Sequence, residues 1–179
     1  MIAPQIVPII FSGHVEAGDL FHADATTLES LHNVVSCWRD SRLSVVLSSG
    51  EVEIGRQRLK IQNINHMPAT IRAAAAVGQI VISNFCQNYF GQHGIEAAQI
   101  LISDDDIQNR ISRMNAIRTM RRLLIWSIVP IVAESHSICP NSKLRRSSFG
   151  LLDCFNQSVT QRETLLYSTS ICQDLRTRI

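Results

Sequence analysis

Hydrophobic and polar positions follow two alternating periods along the chain up to Ala133. Short apolar runs predict β-strands, and apolar residues spaced by three and four positions predict the helices between them. Strands are predicted at residues 6–11, 43–47, 97–102 and 128–132. Pro8 favours an edge position or an irregular start for the first strand, because proline has no N–H to donate to a neighbouring strand.

Four helices are predicted between and around these strands. Asp24 to Thr27 can cap the first helix, and the turn Ser48-Ser49-Gly50 leads into a short second helix that ends near Leu59. Pro68 begins a third, which carries the small residues 73–76 and ends near Phe90; these small residues indicate close helix packing or a subunit contact. The predicted apolar face of the first helix is Leu28, Leu31, Val34, Val35 and Trp38, and that of the fourth is Ile107, Ile111, Met114, Ile117 and Leu124.

Strands that alternate with helices predict an α/β domain with a mainly parallel sheet and right-handed crossovers. Ligands of such sheets bind beyond the carboxyl ends of the strands. The loops after Phe11, Leu47, Ile102 and Val132 are therefore the places where chemistry is expected.

The character of the sequence changes after Ala133, where serine, arginine, glutamine and cysteine become frequent. Only a weak helix at residues 151–159 and a weak strand at residues 165–168 are predicted there. We therefore expect an organised region over residues 1–138 and a divergent, poorly ordered or partly packed tail over residues 139–179.

Composition limits the class of protein. The chain has 179 residues, of which 45% are apolar and 18% charged, which is typical of one globular domain. A net charge of +2 does not indicate a nucleic-acid partner or a membrane surface. The longest apolar run, residues 123–133, is too short to span a bilayer, and no signal peptide is visible. We expect a soluble, cytoplasmic protein with no membrane partner.

The metal-ligating residue types show no metal-site spacing. The five cysteines form no CxxC pair and the six histidines form no HxH or HxxxH pair, so no metal site is predicted and the thiols are expected to be reduced. Cys37 and Cys86 are interpreted as small core residues. The acidic run 104–106 is interpreted as a helix cap rather than a metal site. The arginines 110, 113, 118, 121 and 122 are interpreted as a solvated basic face rather than a phosphate site.

Residues 45–58 carry the main chemical signal. An apolar strand runs through a glycine turn into a helix, and such a turn directs backbone N–H groups and the positive end of the helix dipole at one point. That arrangement suits a carboxylate or a phosphate. A plain strand-to-helix connection is the commoner alternative when this feature stands alone.

Four segments of the chain, taken together in their order and spacing, carry a further signal. They are residues 45–50 with 55–59, residues 73–79, residues 98–105 with 113–116, and residues 128–132 followed by Glu134. In this order and spacing the chain resembles the amino acid kinase family, and within it the kinases that act on glutamate, over roughly residues 43–138. The resemblance implies a three-layer α/β/α sandwich whose C-terminal part is incomplete in this chain.

The resemblance also implies a reaction: transfer of the γ-phosphoryl group of ATP, with Mg²⁺, to the side-chain carboxylate of L-glutamate. The product would be glutamyl 5-phosphate, the first intermediate of proline biosynthesis. By position, Ser49 and Gly50 match the turn that holds the substrate, and His136 falls where the family has a substrate-binding aspartate. Ser12 and Gly13 fall at the nucleotide side of the first strand, and Ser170 falls at a later nucleotide contact.

The departures from the family pattern concern charge. The family's first strand ends in Lys-x-Gly-Ser, whereas residues 8–13 contain no lysine, and none occurs before Lys60. An imidazole at His136 cannot replace a carboxylate in holding an amino group. The chain also ends before the region expected to form most of the nucleotide site, so a truncated or degenerate copy that does not catalyse alone is expected. The alternative is a non-catalytic binding or oligomerisation remnant of the fold, including a homo-oligomer.

Overall fold

The computed structural model describes residues 5–16, 21–40, 44–62 and 67–135. These residues form six strands and five helices. In chain order they are β1 Gln5–Ile10, β2 Gly13–Val15, β3 Phe21–Ala23, α1 Ala25–Arg39, β4 Ser44–Ser49, α2 Glu51–Arg58, α3 Pro68–Gln92, β5 Glu96–Ile102, α4 Asp104–Gln108, α5 Arg110–Ile125 and β6 Ile128–Glu134.

Four of the strands form one parallel sheet in the order β1-β4-β6-β5. Ile10 pairs with Ser49, Ser48 with Ala133, and Leu101 with Ala133 on the other side. The predicted mainly parallel α/β sheet is thus confirmed. Pro8 lies on β1, an edge strand of the described sheet, as predicted.

Helices cover both faces of this sheet. Neighbouring residues of a strand point to opposite faces, so Val46 and Val45 of β4 belong to different cores. Val46 packs in a core with residues of α1, α2 and α3, and Val45 packs in a second core with residues of α5. The arrangement is the expected three-layer α/β/α sandwich. Cys37 and Cys86 are buried, as predicted.

Helices α2 and α3 pack with their backbones almost in contact. A Cβ atom at Gly55 would lie 1.8 Å from the carbonyl oxygen of Ala74, and one at Gly78 would lie 1.8 Å from that of Glu51. Ala74 and Ala75 are fully buried. The close packing predicted from the small residues of α3 is confirmed.

Helix α3 is long and apolar enough to cross a membrane by length and composition, and 39% of its most apolar 18-residue window is buried in the protein. Its buried residues include Ile82, Cys86 and Phe90, which belong to the core beneath the sheet. This packing is that of a core helix in an α/β fold.

Two predicted boundaries are wrong. Strand β4 continues through Ser48 and Ser49, so the turn before α2 is Gly50 alone. The helix predicted from residue 103 is two helices, because the Asn109 side chain accepts hydrogen bonds from the N–H groups of Ile111 and Ser112 and thereby caps α5.

The predicted apolar faces contain two errors. Ile111 is 73% exposed, and Met120 is buried in its place, because α5 starts afresh after Asn109. Leu28 on α1 is 41% exposed, whereas Thr27 is buried. The sequence also failed to predict the antiparallel hairpin of β2 and β3. The tail of residues 139–179, with its weak helix and weak strand, lies outside the described residues.

Candidate functional site

The carboxyl ends of the four parallel strands lie at one edge of the sheet, and the loops that follow them begin at Phe11, Gly50, Ser103 and Ser135. The Phe11 N–H donates to the Ser49 carbonyl oxygen at 2.8 Å, and the Ser135 N–H donates to the Ile102 carbonyl oxygen at 2.8 Å. These bonds tie the loops together in pairs. We call Ser12, Gly13, Ser49 and Gly50 the carboxyl-edge site.

Gly50 allows the loop after β4 to contact the loop after β1. Its φ of 108° is in the left-handed region, and a Cβ atom there would lie 2.2 Å from the Phe11 carbonyl oxygen. Gly50 is also the N-cap of α2, and its carbonyl oxygen accepts the first helical bond, from Ile54 at 3.1 Å. The predicted strand, glycine turn and helix start are therefore present, next to the loop after β1.

Ser12 is held by the first turn of α1. Its N–H donates to Thr27 Oγ1 at 3.1 Å, and its hydroxyl donates to Asp24 Oδ2 at 2.5 Å. The Asp24 carboxylate also accepts from the Thr27 N–H at 2.8 Å, which makes it the N-cap of α1. The hydrogen bond from Ser12, followed by those from Thr27, lowers the pKa of Asp24. The Ser12 hydroxyl thus donates to an ionised carboxylate.

Gln57 of α2 is bonded to the hairpin strand β2. Its Nε2 donates to the Gly13 carbonyl oxygen at 3.3 Å and to Glu53 Oε1 at 3.0 Å, and its Oε1 accepts from the Val15 N–H at 3.2 Å. Arg56 first, and Gln57 second, hold the pKa of Glu53 down to about 2. Helix α2 is thereby connected to the chain on both sides of His14.

Sequence analysis named Asp24 to Thr27 only as a helix cap, without the contacts to Ser12, and gave Glu53 and Gln57 no supporting role. The placement of Thr27 three positions after the cap residue Asp24 was an available signal. The spacing of Glu53 and Gln57, four positions apart on one helix, was another. Neither signal identifies the hairpin or the loop that these side chains bind.

The described loop segments at the carboxyl edge are poor in positive charge. The loop segments 11–13, Gly50, Ser103 and Ser135 contain no lysine or arginine. Acidic residues are present instead: Asp24 binds Ser12, and Glu51, the first residue of α2, is 4% exposed. This part of the edge offers hydroxyl groups, backbone N–H groups and carboxylates.

The acidic run acts as a helix cap, as predicted. The Ser103 N–H and hydroxyl donate to Asp106 Oδ2 at 3.0 and 2.5 Å, and the Asp106 N–H donates back to the Ser103 hydroxyl at 3.2 Å. This reciprocal pair is a capping box. Among the described residues, no group of three or more His, Cys, Asp or Glu side chains has an arrangement that could hold a metal ion.

The structure brings Ser12, Gly13, Ser49 and Gly50 together at the same edge. Whether they bind a substrate or a nucleotide stays a prediction. His136 and Ser170, the other two predicted site residues, lie outside the described residues.

A parallel α/β/α sandwich with a glycine turn at the carboxyl edge defines a class of nucleotide- and metabolite-binding domains. The sequence profile of the amino acid kinase family matches residues 17–148. The chain therefore belongs to the amino acid kinase family. Ser12 and Gly13 precede the matched segment, so their assignment depends on the residue pattern alone.

Individual relatives point to one branch of that family. The chain is 36% identical over 118 residues to glutamate 5-kinase of Rhodopseudomonas palustris strain HaA2. The aligned residues make up 65% of this chain and 31% of that protein. It is 33% identical over 125 residues to glutamate 5-kinase of Thioalkalivibrio sulfidiphilus, which covers 70% of this chain and 33% of that protein. The chain spans about a third of the length of the relatives it matches.

Proposed function

We propose that residues 1–138 are the substrate-side region of a glutamate 5-kinase, and that Ser49 and Gly50 receive a carboxylate of L-glutamate. The supporting observation is the left-handed backbone conformation of Gly50, the N-cap of α2, which places the first turn of α2 beside the loop after β1. Helix starts bind anions through N–H groups that the helix itself does not use. The similarity to glutamate 5-kinases supports glutamate as the substrate and glutamyl 5-phosphate, for proline biosynthesis, as the product of the complete enzyme.

A cytoplasmic location belongs to the same proposal. Cys86 is a free, buried thiol and Cys37 is buried as well, which fits a protein that works where thiols stay reduced. Residues 139–179 are proposed to be a divergent tail.

We further propose that this chain alone does not transfer a phosphoryl group. Transfer from ATP relies on cations that neutralise the phosphates, supplied by Mg²⁺ and by lysine or arginine side chains. The loop after β1 has neither lysine nor arginine, and its Ser12 hydroxyl is bonded to the Asp24 carboxylate. The loop after β1 therefore does not fit a Mg²⁺-bound triphosphate, and no phosphoryl-transfer step is assigned to it.

Calorimetry and a turnover assay test the two parts separately. L-Glutamate is expected to bind the full chain, and Ser49→Ala is expected to weaken binding by about ten-fold through loss of one hydrogen bond to a charged group. Ser30→Ala on α1, where the hydroxyl donates to the Thr26 carbonyl oxygen at 2.9 Å, is the matched control and is expected to bind as the wild type does. Absence of glutamate binding would contradict the substrate site.

For the second part, ADP release is measured with L-glutamate, ATP and Mg²⁺. No turnover above a no-enzyme control is expected. Sustained, glutamate-dependent ADP release by the purified chain would show that the missing lysine is dispensable, and the proposed inactivity would be wrong.

A non-catalytic oligomerisation role is the second candidate, and one surface favours it. An open cavity of about 480 Å³ is lined by Phe21, Val77, Ile80, Val81 and Phe85, together with the polar residues Arg58, Asn84 and Asn88. Ile80 is 73% exposed on α3. Sedimentation of the wild type as a dimer that Ile80→Asp dissociates, with no binding of glutamate or ATP, would select this role over the kinase.

A further inference from the structure

Strand β2 presents two backbone groups to helix α2 at the same point. His14 pairs with His22 of β3, so the Gly13 carbonyl and the Val15 N–H, which flank His14, point to the opposite side of the strand. A single side chain, Gln57, bonds both groups, at 3.3 and 3.2 Å. Its amide thus takes the place of a third strand for one residue pair.

The orientation of this amide is fixed by its own helix. The second N–H of Gln57 Nε2 donates to Glu53 Oε1 at 3.0 Å, and Arg56 Nε donates to the other oxygen of that carboxylate at 2.8 Å. Because the carboxylate accepts only, Nε2 must face Glu53, and Oε1 is left to accept from Val15. All the polar atoms of the amide are used, in one orientation.

These contacts close a ring of elements around the carboxyl-edge site. Helix α2 begins at Gly50, which touches Phe11, and near its end Gln57 holds Gly13, two residues after Phe11. The loop between Phe11 and Gly13 is therefore held by α2 at both of its ends. Among the described contacts, loss of the Gln57 bonds would leave the bonds at Phe11 and Ser12 and the pairing of Gly13 with Ala23 to position it.

We propose that Gln57 is a positioning residue, which fixes the loop after β1 against α2 so that the glutamate site is assembled before the substrate arrives. This role rests on the proposed function. Gln57 itself does not touch the substrate; it acts through Gly13. A site that is preassembled binds more tightly, because the ordering cost is not taken from the binding energy.

Hydrogen exchange and calorimetry on the full chain test the proposal with Gln57→Leu. Protection of the Val15 amide is expected to fall about ten-fold, and the Kd for L-glutamate is expected to rise about ten-fold. Gln87→Leu, at an exposed position of α3, removes an amide elsewhere and is expected to change neither quantity. Unchanged Val15 protection in Gln57→Leu would refute the contact, and unchanged glutamate affinity despite lost protection would refute the positioning role.

The pH dependence of Val15 amide protection in Gln57→Glu separates a positioning role of residue 57 from a general effect on helix stability. Gln57→Glu places a carboxylate beside Glu53, and the like charge raises the pKa of the introduced group. When ionised, that group has no hydrogen to donate to the Gly13 carbonyl oxygen and is repelled by Glu53. When protonated, its one O–H can donate to Gly13 while its carbonyl oxygen accepts from Val15, so Val15 protection, corrected for intrinsic exchange, is expected to recover as the pH falls below about 5. A profile as flat as that of the wild type would contradict the proposal.

The two proposals fail in different ways. If the wild type binds no L-glutamate, the proposed function is wrong, and the Val15 protection in Gln57→Leu and Gln57→Glu still decides whether Gln57 fixes the loop. If glutamate binds and Val15 protection is unaffected, the proposed function stands and the role of Gln57 is wrong.

Discussion

Two of the three described glycines with positive φ, Gly94 and Gly50, have it for different reasons. Gly94, beyond the end of α3, has a φ of 70° and open space where a Cβ atom would go, whereas Gly50 has a φ of 108° and the Phe11 carbonyl oxygen in that space. The first glycine is favoured by backbone conformation alone. The second is required by conformation and by the contact between two strand ends.

This difference predicts unequal costs for the same substitution. Gly94→Ala is expected to lower the free energy of unfolding by about 1 kcal/mol, the cost of a left-handed conformation for an L residue. Gly50→Ala is expected to lower it by about 3 kcal/mol, because a backbone clash is added to that strain. Urea unfolding of the two variants measures the comparison. Equal losses would mean that the approach of Gly50 to Phe11 carries no energetic weight.

At the scale of elements, α3 contains a matched pair of glycines. A Cβ atom at Gly78 would meet the Glu51 carbonyl oxygen at 1.8 Å, while one at Gly91 would meet nothing within 4 Å. Gly78 therefore allows the close approach of helix α2, whose N-cap Gly50 belongs to the carboxyl-edge site. Gly91 performs no such packing role.

Alanine substitution at these two positions is expected to act in opposite directions. Gly91→Ala should raise the free energy of unfolding by about 0.5 kcal/mol, through the higher helix propensity of alanine. Gly78→Ala should lower it by about 2 kcal/mol, because α2 must move away from α3. Thermal and urea unfolding give both values, and a stabilising Gly78→Ala would show that α2 shifts without cost.

The helices and strands show which parts of the structure can be predicted from the local sequence. The strands and helices around Val46 and Ile82 follow apolar periodicity, and the parallel sheet that results brings the loops at Ser12 and Gly50 to one edge, as predicted. The break at Asn109 was missed because its cap interrupts a continuous helical pattern. The contacts of Gln57 were missed because they join residues 42 and 44 positions apart, which no local pattern records.

At the scale of the whole molecule, two cores lie on opposite faces of one sheet. Trp38 of α1 packs against both of them, so the change in tryptophan fluorescence on unfolding includes a contribution from each core. Cys86 lies in the C-terminal half of α3, fully buried in the larger core, and this burial raises the pKa of its thiol to about 12. The reactive thiolate of Cys86 is therefore scarce at any ordinary pH while the core is closed.

If the two cores unfold together, Cys86 should react only through global unfolding. Alkylation by iodoacetamide at pH 8, read for each cysteine by peptide mass spectrometry, is expected to leave Cys86 unmodified in the native protein. In increasing urea its labelling should follow the same transition as the tryptophan fluorescence, because opening α3 exposes the residues that cover both α2 and the sheet. Labelling of Cys86 at urea concentrations where the fluorescence is still native would mean instead that α3 opens by itself. Helix α2 and the carboxyl-edge site would then depend on a locally unstable helix rather than on the stability of the whole fold.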